Sequence, residues 1–233
     1  MALVFVTGGS RGLGLATAKA LRQQGHQLVL FAKNEELLAK SASELGASYE
    51  VVNLENIDQT RNIFKSAVER HGLPEILILA HGVMSDRMSK TLKTNDQEWR
   101  RVMTINLDSV FTIVNEVCAK MAEARNGRII IFSACLGRMS GPGNAGGLAP
   151  YRISKAGVNA LVRNLAHETG HGARGLWVDA ICPNHSRTDM GGPDAPRSAE
   201  EGAETAVWLA TRDLTPGVTQ TGVLWEDQEV VPW

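Results

Sequence analysis

Cysteine is scarce in this chain, and neither sign of charge dominates it. The three cysteines, Cys118, Cys135 and Cys182, are odd in number, widely spaced and embedded in apolar stretches. This pattern argues against a disulfide framework or a metal site and predicts reduced thiols in the cytosol. The 24 Lys and Arg residues balance 25 Asp and Glu residues, for a formal net charge of −1. Without a basic run, the sequence gives no basis for binding nucleic acid or an anionic membrane, and it predicts a small-molecule substrate.

Long hydrophobic runs are also missing. No apolar run approaches the ~18 residues of a membrane span, and the N-terminal MALVFV is short and lacks the basic flank of a signal peptide. We therefore expect a cytoplasmic protein with no membrane segment, in which MALVFV forms a buried strand. With 233 residues, 43% of them apolar, the chain can bury one large core, and we expect a single domain over residues 1–233.

Short β-branched runs alternate with segments of helical periodicity along the chain. Strands are predicted at residues 2–6, 27–31, 49–52, 75–79, 128–132, 176–181 and 222–224, and helices at 12–24, 35–45, 57–71, 96–124, 151–168 and 199–211. Near-continuous apolar strands are typical of parallel sheets covered on both faces. The alternation predicts an α/β, single-domain fold, a doubly wound parallel sheet of about seven strands with helices on both faces.

Capping boxes and irregular loops add detail to this prediction. Ser198 with Glu201 and Thr94 with Gln97 match the S/T-x-x-E/Q pattern of a helix start. Two segments rich in Gly and Pro, residues 138–150 and 183–197, each follow a predicted strand. Because ligands of such sheets bind at the carboxyl ends of the strands, both segments are candidate active-site loops.

A glycine-rich turn joins the first strand to the first helix. Its glycines allow a sharp turn and close approach to a pyrophosphate, which the free N–H groups and dipole of the following helix attract. The alternative is a structural βα turn that merely needs small residues; the combined strand, glycine spacing and helix favour dinucleotide binding. The turn residues predicted to bind the cofactor are Gly8, Ser10, Arg11, Gly12, Leu13 and Gly14.

The end of the second strand bears on the choice between NAD and NADP. A carboxylate there would accept the ribose 2′-hydroxyl, whereas a 2′-phosphate needs positive charge. This strand ends in Phe31-Ala32-Lys33-Asn34, with no acid. Lys33 and Arg11 together would clamp a 2′-phosphate, so NADP(H) is favoured over NAD(H); the alternative is two solvated surface cations.

Lys155 follows Tyr151 by four positions at the start of a predicted helix, and this spacing places both side chains on one face. A tyrosine with its ordinary pKa of about 10 is a poor acid or base at neutral pH unless a nearby cation stabilises the phenolate. Lys155 would supply that charge and could also hold the nicotinamide ribose. The pattern occurs often by chance on solvated helices, but beside a nucleotide turn it predicts a catalytic pair.

The sequence resembles the short-chain dehydrogenase/reductase family along its whole length. The motifs that carry the resemblance are Thr7-Gly8-x-x-x-Gly12-x-Gly14, Ile105-Asn106-Leu107, Gly127-Arg128-Ile129, Tyr151-x-x-x-Lys155, and Cys182-Pro183 followed by Arg187-Thr188-Asp189. The segment Thr188-Asp189-Met190-Gly191-Gly192-Pro193 and the near-terminal residues 225–233 look most like the carbonyl-reductase-like branch. The resemblance implies a Rossmann-type fold, bound NAD(P)(H), and hydride transfer to or from a carbonyl or alcohol carbon.

The resemblance also implies residue roles. Tyr151 would be the general acid in reduction and Lys155 its cationic neighbour, while Asn106 would anchor a proton-relay water near the lysine. An Asn here could instead only bond neighbouring backbone. Further cofactor contacts implied beyond the glycine-rich turn are Ala32, Lys33, Asn53, Leu54, Ala80, Gly82, Tyr151, Lys155, Pro183, Asn184, Ser186 and Thr188.

The chain departs from the family pattern at its catalytic serine. Aligning the fifth strand puts Ala134 at that position. Loss of one oxyanion-type donor costs about 10²–10³ in rate. Ser133 should point the other way by strand alternation unless the strand ends or bulges, and Ser140 in the following Gly/Pro loop is the other nearby hydroxyl.

Two loops depart as well. The family's Asn-Asn-Ala-Gly is replaced by Leu79-Ala80-His81-Gly82, and we expect a buried, hydrogen-bonded His81, the alternative being a titrating group near the site. The family's Pro-Gly becomes Pro183-Asn184, followed by His185 and Ser186. As a hypothesis, Asn184, His185 and Ser186 rebuild the substrate pocket for a polar or unusual ligand. The alternative is genetic drift in a protein that no longer catalyses redox chemistry.

Three functions fit the sequence. The leading hypothesis is an NADPH-dependent carbonyl or related C=X reductase. Ala134 motivates a second hypothesis, a non-redox cyclase, isomerase or dehydratase. The third is a nucleotide-sensing protein without turnover.

A homodimer or homotetramer would use apolar residues on the helices after Asn106 and Tyr151. The same residues could equally cover the sheet, and they are Ile113, Val114, Val117, Val158, Leu161, Val162 and Leu165. Met84, Met88 and Met190 are candidates to line the pocket, although gap-filling in the core is the commoner role of Met.

Overall fold

A computed structural model describes residues 1–86, 90–143 and 145–233. Met88 lies outside the described residues. Within them, eight strands form one sheet in the order β3-β2-β1-β4-β5-β6-β7-β8. All neighbouring strands are parallel except β7 and β8. Their bounds are Leu3–Thr7, Gln27–Ala32, Ser48–Val51, Ile76–Leu79, Gly127–Phe132, Leu176–Ile181, Leu224–Glu226 and Glu229–Val231, for β1 to β8.

The prediction of about seven strands was one strand short. The missing strand, β8, pairs antiparallel with β7 through a two-residue turn at Asp227 and Gln228. Both turn residues have positive φ, 52° and 64°, as type I′ hairpin turns require. β8 has three residues, two of them exposed, so it lacks the apolar run that predicted the buried strands.

Six long helices cover the two faces of the sheet. They are α1 (Gly12–Gln23), α2 (Glu35–Leu45), α3 (Ile57–His71), α4 (Asp96–Ala124), α5 (Ala149–Glu168) and α6 (Ala199–Thr211). Alternate strand residues point to opposite faces, so the sheet divides the core into two clusters. One packs against α3, α4 and α5, and the other against α1, α2 and α6. The doubly wound arrangement predicted from the sequence is confirmed.

The long helix α4 is interrupted by two π-helical segments, Thr104–Asp108 and Val114–Cys118. By length and composition α4 could cross a membrane, but 56% of its most apolar window is buried inside the protein. It serves as a core helix against β4 and β5. Such π segments often occur at functional positions, and Asn106 lies in the first.

One of the two predicted capping boxes forms, and the other does not. At α6 both bonds form, from the Glu201 amide to Ser198 Oγ (3.1 Å) and from the Ser198 amide to Glu201 Oε2 (2.6 Å). At α4 the prediction was wrong, because Asn95 caps the helix by accepting the Glu98 amide at 2.8 Å. Thr94 instead donates to the Lys90 carbonyl and closes the preceding turn.

The strand order reverses between β1 and β4, where the loops that follow these two strands separate. Open α/β sheets bind ligands at such a point, outside the carboxyl ends of the strands. The loops after β1, β4, β5 and β6 all emerge at this edge, which fixes where the site lies.

Candidate active site

Two adjoining cavities open at this edge of the sheet. The larger, here the groove, has a volume of about 990 Å³ and follows the glycine-rich turn and the ends of β2 and β3. The smaller, here the pocket, has a volume of about 410 Å³ and lies beyond the ends of β5 and β6. They are continuous, since seven residues line both: Leu13, Ala80, His81, Gly82, Met84, Thr188 and Met190. Together they form one elongated site.

The glycine-rich turn brings backbone, rather than side chains, to the groove. Gly8 and Gly12 have left-handed φ values of 66° and 54°, which glycine adopts without strain. A Cβ atom at Gly8 would lie 3.1 Å from the Ala80 carbonyl oxygen, so the turn fits tightly against the loop after β4. No side chain caps the first amides of α1 at Arg11. These free donors and the helix dipole make the end of the groove an anion site.

Every residue predicted to contact the cofactor lines one of the two cavities. Those in the groove are Gly8, Ser10, Arg11, Gly12, Leu13, Gly14, Ala32, Lys33, Asn53, Leu54, Ala80, Gly82 and Thr188. Those in the pocket are Tyr151, Lys155, Pro183, Asn184 and Ser186. The set therefore traces a path from the turn to the tyrosine.

The two cations predicted to bind a 2′-phosphate each have an acidic partner. Arg11 forms an ion pair with Asp189, and Lys33 Nζ lies 3.0 Å from Glu55 Oε1. Neither carboxylate had been assigned a partner from the sequence, because both pairs join distant segments. All four side chains are exposed, where an ion pair contributes only about 0–1 kcal/mol. A phosphate could therefore compete with the carboxylates for both cations.

Tyr151 and Lys155 meet in the pocket on the first turns of α5. Lys155 Nζ lies 5.9 Å from the centre of the Tyr151 ring and donates to the Phe132 carbonyl at 2.7 Å. Burial raises the pKa of Tyr151, with Cys182 and Cys135 adding to the effect. Burial lowers the pKa of Lys155 to about 8. Near neutral pH the phenol is thus protonated beside a predominantly charged ammonium. The lowering of the Tyr151 pKa that the sequence predicted from Lys155 is not found, because burial dominates.

Asn106 lies beneath these residues and lines neither cavity among the residues described. Its Oδ1 accepts the Val83 amide at 2.8 Å, and its Nδ2 donates to the Val83 carbonyl at 2.9 Å and to Ser154 Oγ at 3.1 Å. The two contacts with Val83 are backbone contacts, as expected if Asn106 has a structural role. A Cβ at Gly82 would lie 3.4 Å from Asn106 Oδ1 and 3.5 Å from Lys155 Nζ, so glycine keeps open the space between them.

Comparison with known proteins agrees with this arrangement. The sequence model of the short chain dehydrogenase family matches residues 2–199. The chain belongs to this family. It is 33% identical over 188 residues to the 3-oxoacyl-(acyl-carrier-protein) reductase FabG of Rickettsia prowazekii (strain Madrid E), spanning 80% of this chain and 73% of that protein. It is 31% identical over 190 residues to FabG of Escherichia coli (strain K12), spanning 81% and 75%.

Among solved structures, a variant of actinorhodin polyketide ketoreductase with NADPH superposes with a TM-score of 0.82 over 97% of this chain and 95% of that one. Sequence identity to it is 24%, so this likeness shows the fold alone. The chain is therefore a short-chain dehydrogenase in sequence and in fold, and its oxidoreductase class follows from the family.

Ala134 stands where the resemblance predicts the family's serine, and that assignment stays a prediction. Ala134 is buried against Val102 and Tyr151. Ser133 turns away, with its hydroxyl 2.5 Å from Asn159 Oδ1 and 3.2 Å from the Lys155 carbonyl. Ser140 donates to the Trp233 carbonyl at 3.2 Å. Neither serine replaces the missing donor in this structure.

His81 is held in a fully bonded chain at the end of β4. Ser109 donates to the Ile105 carbonyl (2.7 Å), which leaves Ser109 Oγ to accept from His81 Nε2 (2.9 Å). His81 Nδ1 then accepts from Thr7 Oγ1 at 2.6 Å. Burial, followed by repulsion from Lys155, lowers the pKa of His81 to about 3. These contacts describe a neutral, structural histidine.

The loop after β6 does not present the rebuilt polar pocket hypothesised from its sequence. Ser186 Oγ donates to the Pro183 carbonyl at 3.0 Å, and His185 Nε2 lies 2.7 Å from the Gly191 carbonyl. Asn184 adopts φ 57°, and its amide reaches Asp227 at 3.4 Å in one orientation or Glu226 at 3.0 Å in the other. These polar groups fold and anchor the loop itself.

Sequence reasoning missed Cys135, which lines the pocket directly after Ala134. Its amide donates to the sulfur of Cys182 at 2.9 Å, so the two cysteines that the sequence spaces far apart are neighbours. Both are free thiols. The only sequence signal was that each follows a strand of the central sheet. Met84 and Met190 line the pocket as expected.

Proposed function

We propose that this short-chain dehydrogenase reduces a carbonyl or related C=X group of a small molecule with NADPH. The observation that carries the proposal is the meeting of Tyr151 and Lys155 in a pocket continuous with a groove built on uncapped backbone amides. The FabG relatives are named as 3-oxoacyl reductases, which is reduction of the same functional group. Whether the chain lies in the carbonyl-reductase-like branch stays a prediction.

The chain's own residues supply binding and the proton. The first amides of α1 would hold the pyrophosphate, and glycine at position 8 lets the turn lie close against the Ala80 carbonyl. When bound, NADPH supplies a hydride to the carbonyl carbon. Tyr151 donates its phenolic proton to the carbonyl oxygen, and the ammonium of Lys155 stabilises the phenolate that remains. Asn106 orders Val83 and the neighbouring loop, and a proton-relay water at Asn106 remains part of the proposal.

NADP(H) over NAD(H) is the proposed cofactor preference. β2 ends in Ala32 and Lys33 without a carboxylate to accept a 2′-hydroxyl, and Lys33 and Arg11 both line that end of the groove. Their partners Glu55 and Asp189 occupy them only through exposed ion pairs. A 2′-phosphate would displace these carboxylates and bring more negative charge to the same two cations.

The test uses purified protein, NADPH and a panel of small ketones and aldehydes. We expect NADPH oxidation with at least one of them, and a Tyr151→Phe variant that loses turnover by about 10²–10⁴, the usual contribution of a general acid. Its NADPH dissociation constant should stay unchanged, because the hydroxyl is the only group removed. Retained turnover in Tyr151→Phe would refute the assignment.

A second candidate, a non-redox catalyst, is favoured by one observation: the described residues place no serine hydroxyl where Ala134 stands. In that case Tyr151 would act as an acid in a cyclase, isomerase or dehydratase. Product would then form with no change in NADPH absorbance, which separates the two candidates.

Three wider properties complete the proposal: one NAD(P)-binding domain over residues 1–233, a cytoplasmic location, and a homodimer or homotetramer through α4 and α5. Five of the seven apolar residues first considered for that interface, among them Ile113 and Val158, are buried and cover the sheet instead. Phe111 on α4 and Ile153 on α5 are exposed large apolar side chains, so an interface would use these. The measurement is the molecular mass in solution.

A further inference from the structure

Cys135 and Cys182 form a thiol pair at the floor of the pocket that the proposed reductase chemistry does not use. Cys135 begins the turn Cys135–Gly137 after β5, and Cys182 follows β6. Both line the pocket together with Tyr151. Cys135 is partly exposed, whereas Cys182 is 1% and Cys118 2% exposed. Of the three cysteines in the chain, Cys135 is therefore the one that a molecule in the pocket can reach.

The contacts of the pair give the two thiols different chemistry. The Cys135 amide donates to Cys182 Sγ at 2.9 Å, which fixes the buried sulfur beside Cys135. The neighbouring Cys182 thiol lowers the pKa of Cys135 to about 7, while the pKa of Cys182 is raised. Two other charges face Cys135: Glu226 raises its pKa and Arg138 lowers it. Burial alone raises the pKa of Cys118 on α4. An exposed thiol with substantial thiolate character at neutral pH is the nucleophilic kind.

We infer that Cys135 is a covalent modification site for α,β-unsaturated carbonyl compounds that enter the pocket, with Cys182 as its positioning residue. Tyr151, a hydroxyl donor in the same pocket, is placed to bind the carbonyl oxygen of such a compound. Ala134, which lies between Ser133 and Cys135, presents only a methyl group there.

The reaction is a simple addition. The Cys135 thiolate forms a carbon–sulfur bond to the β-carbon, and the electron pair of the C=C bond moves to the carbonyl oxygen as an enolate. The α-carbon then takes a proton from water, which leaves a thioether and no change in redox state. The adduct would fill the pocket of about 410 Å³, and so would block any substrate from reaching Tyr151.

The experiment treats the folded protein with N-ethylmaleimide, itself an α,β-unsaturated carbonyl compound, and follows intact mass and peptide mapping. We expect one adduct per chain at Cys135, with Cys118 and Cys182 reacting only after denaturation. The labelling rate should rise with a midpoint near the pKa of Cys135. Cys135→Ser should abolish the single native adduct, and Cys118→Ala, the matched control, should leave its rate unchanged.

A second variant tests Cys182. Cys182→Ala removes the sulfur that accepts the Cys135 amide and lowers the Cys135 pKa. It should slow labelling at pH 7 by roughly tenfold, because the fall in thiolate fraction exceeds the gain in intrinsic nucleophilicity. The midpoint should move to higher pH, and Cys182→Ser, which keeps a polar group at this position, should restore part of both. Thermal unfolding confirms that each variant folds.

A native adduct on Cys118 or Cys182, or none at all, would overturn the inference, and an unchanged rate and midpoint in Cys182→Ala would overturn the role of Cys182. The readout is mass and needs no turnover or cofactor, so its failure is distinct from failure of the proposed reductase function.

Discussion

Ala134 stands where the resemblance to the family predicts a catalytic serine. Its side chain is buried beside Tyr151, where a serine hydroxyl is proposed to donate to the substrate oxygen. Because one such donor contributes about 10²–10³ in rate, Ala134→Ser should raise kcat/KM for a reduced carbonyl compound by roughly tenfold or more. Steady-state NADPH oxidation measures this.

Ser133→Ala is the matched control, since its hydroxyl is directed to Asn159 and the Lys155 carbonyl. It should change the rate much less than Ala134→Ser does. If Ala134→Ser leaves kcat/KM unchanged, the pocket does not place a substrate oxygen next to Ala134, and the reductase geometry proposed above is wrong.

His81 gives a pH-dependent contribution to stability. Its folded pKa of about 3 lies below the unfolded value of about 6.5, so the unfolded state binds more protons as pH falls. The contribution is complete above pH 6.5 and is lost on acidification. We expect the free energy of unfolding to fall by about 2 kcal/mol between about pH 7.5 and pH 5 through this group.

Urea unfolding of His81→Gln at the two pH values checks this. The variant should be less stable near neutral pH but should lack this share of the acid-induced loss. His167→Gln, a change at an exposed histidine, should retain it. An acid-induced loss as large in His81→Gln as in the parent protein would show that His81 is not buried in its neutral form.

At the level of single residues, the sequence could predict only contacts between residues that are close together in the chain. Tyr151 and Lys155 lie four apart on one helix, so their meeting was predictable. The pairs Arg11–Asp189 and Lys33–Glu55, and the contact of Cys135 with Cys182, join segments far apart in the chain. No periodicity reports such contacts. The bonds of Ser186 to the Pro183 carbonyl and of His185 to the Gly191 carbonyl are local, but they were missed because they depend on the fold of a loop that has no periodicity.

The end of β2 and the start of α1 together set the charge at one end of the groove. Lys33→Asp would place an anion where a 2′-phosphate is proposed to bind. We expect NADPH affinity to fall by roughly tenfold or more, the loss of one charged hydrogen bond, and NADH affinity to rise or stay constant. Dissociation constants for both cofactors, measured by titration, report this.

Lys40→Asp on α2 is the matched charge change, because Lys40 lines neither cavity. It should leave both dissociation constants close to those of the parent protein. Unchanged NADPH affinity in Lys33→Asp would remove the main support for the NADP preference.

Elements with a continuous apolar run or a clear helical period were predicted best. The strands β1, β2, β4, β5 and β6 appear near their predicted positions because burial on both faces favours apolar runs. β3 was also predicted, although Ser48 and Tyr49 are exposed, and the six helices were predicted from their periodicity. β8 is three residues long and mostly exposed, so only its turn residues carry information. The cap of α4 was predicted at Thr94 and is found at Asn95, because both residue types cap helices well and the sequence alone does not distinguish them.

For the molecule as a whole, the parallel sheet decides where the site must be, and the loops decide what it contains. The reversal of strand order between β1 and β4 creates the groove at the carboxyl ends of the strands, which a βα alternation predicts. The pocket beside it depends on how the loops after β4, β5 and β6 fold over one another. Those loops are held by long-range hydrogen bonds, so their shape could not be read from the sequence.

The central claim is that hydride passes from NADPH to a carbonyl carbon in the pocket while Tyr151 provides the proton. The direct measurement is mass spectrometry of the product formed with NADPH carrying deuterium at C4, on each face in turn. The account predicts that one of the two labelled cofactors transfers its deuterium to the product carbon, and that Tyr151→Phe abolishes the transfer while still binding NADPH. A product that forms without deuterium from either cofactor, and with NADPH unconsumed, would contradict the account and favour non-redox chemistry.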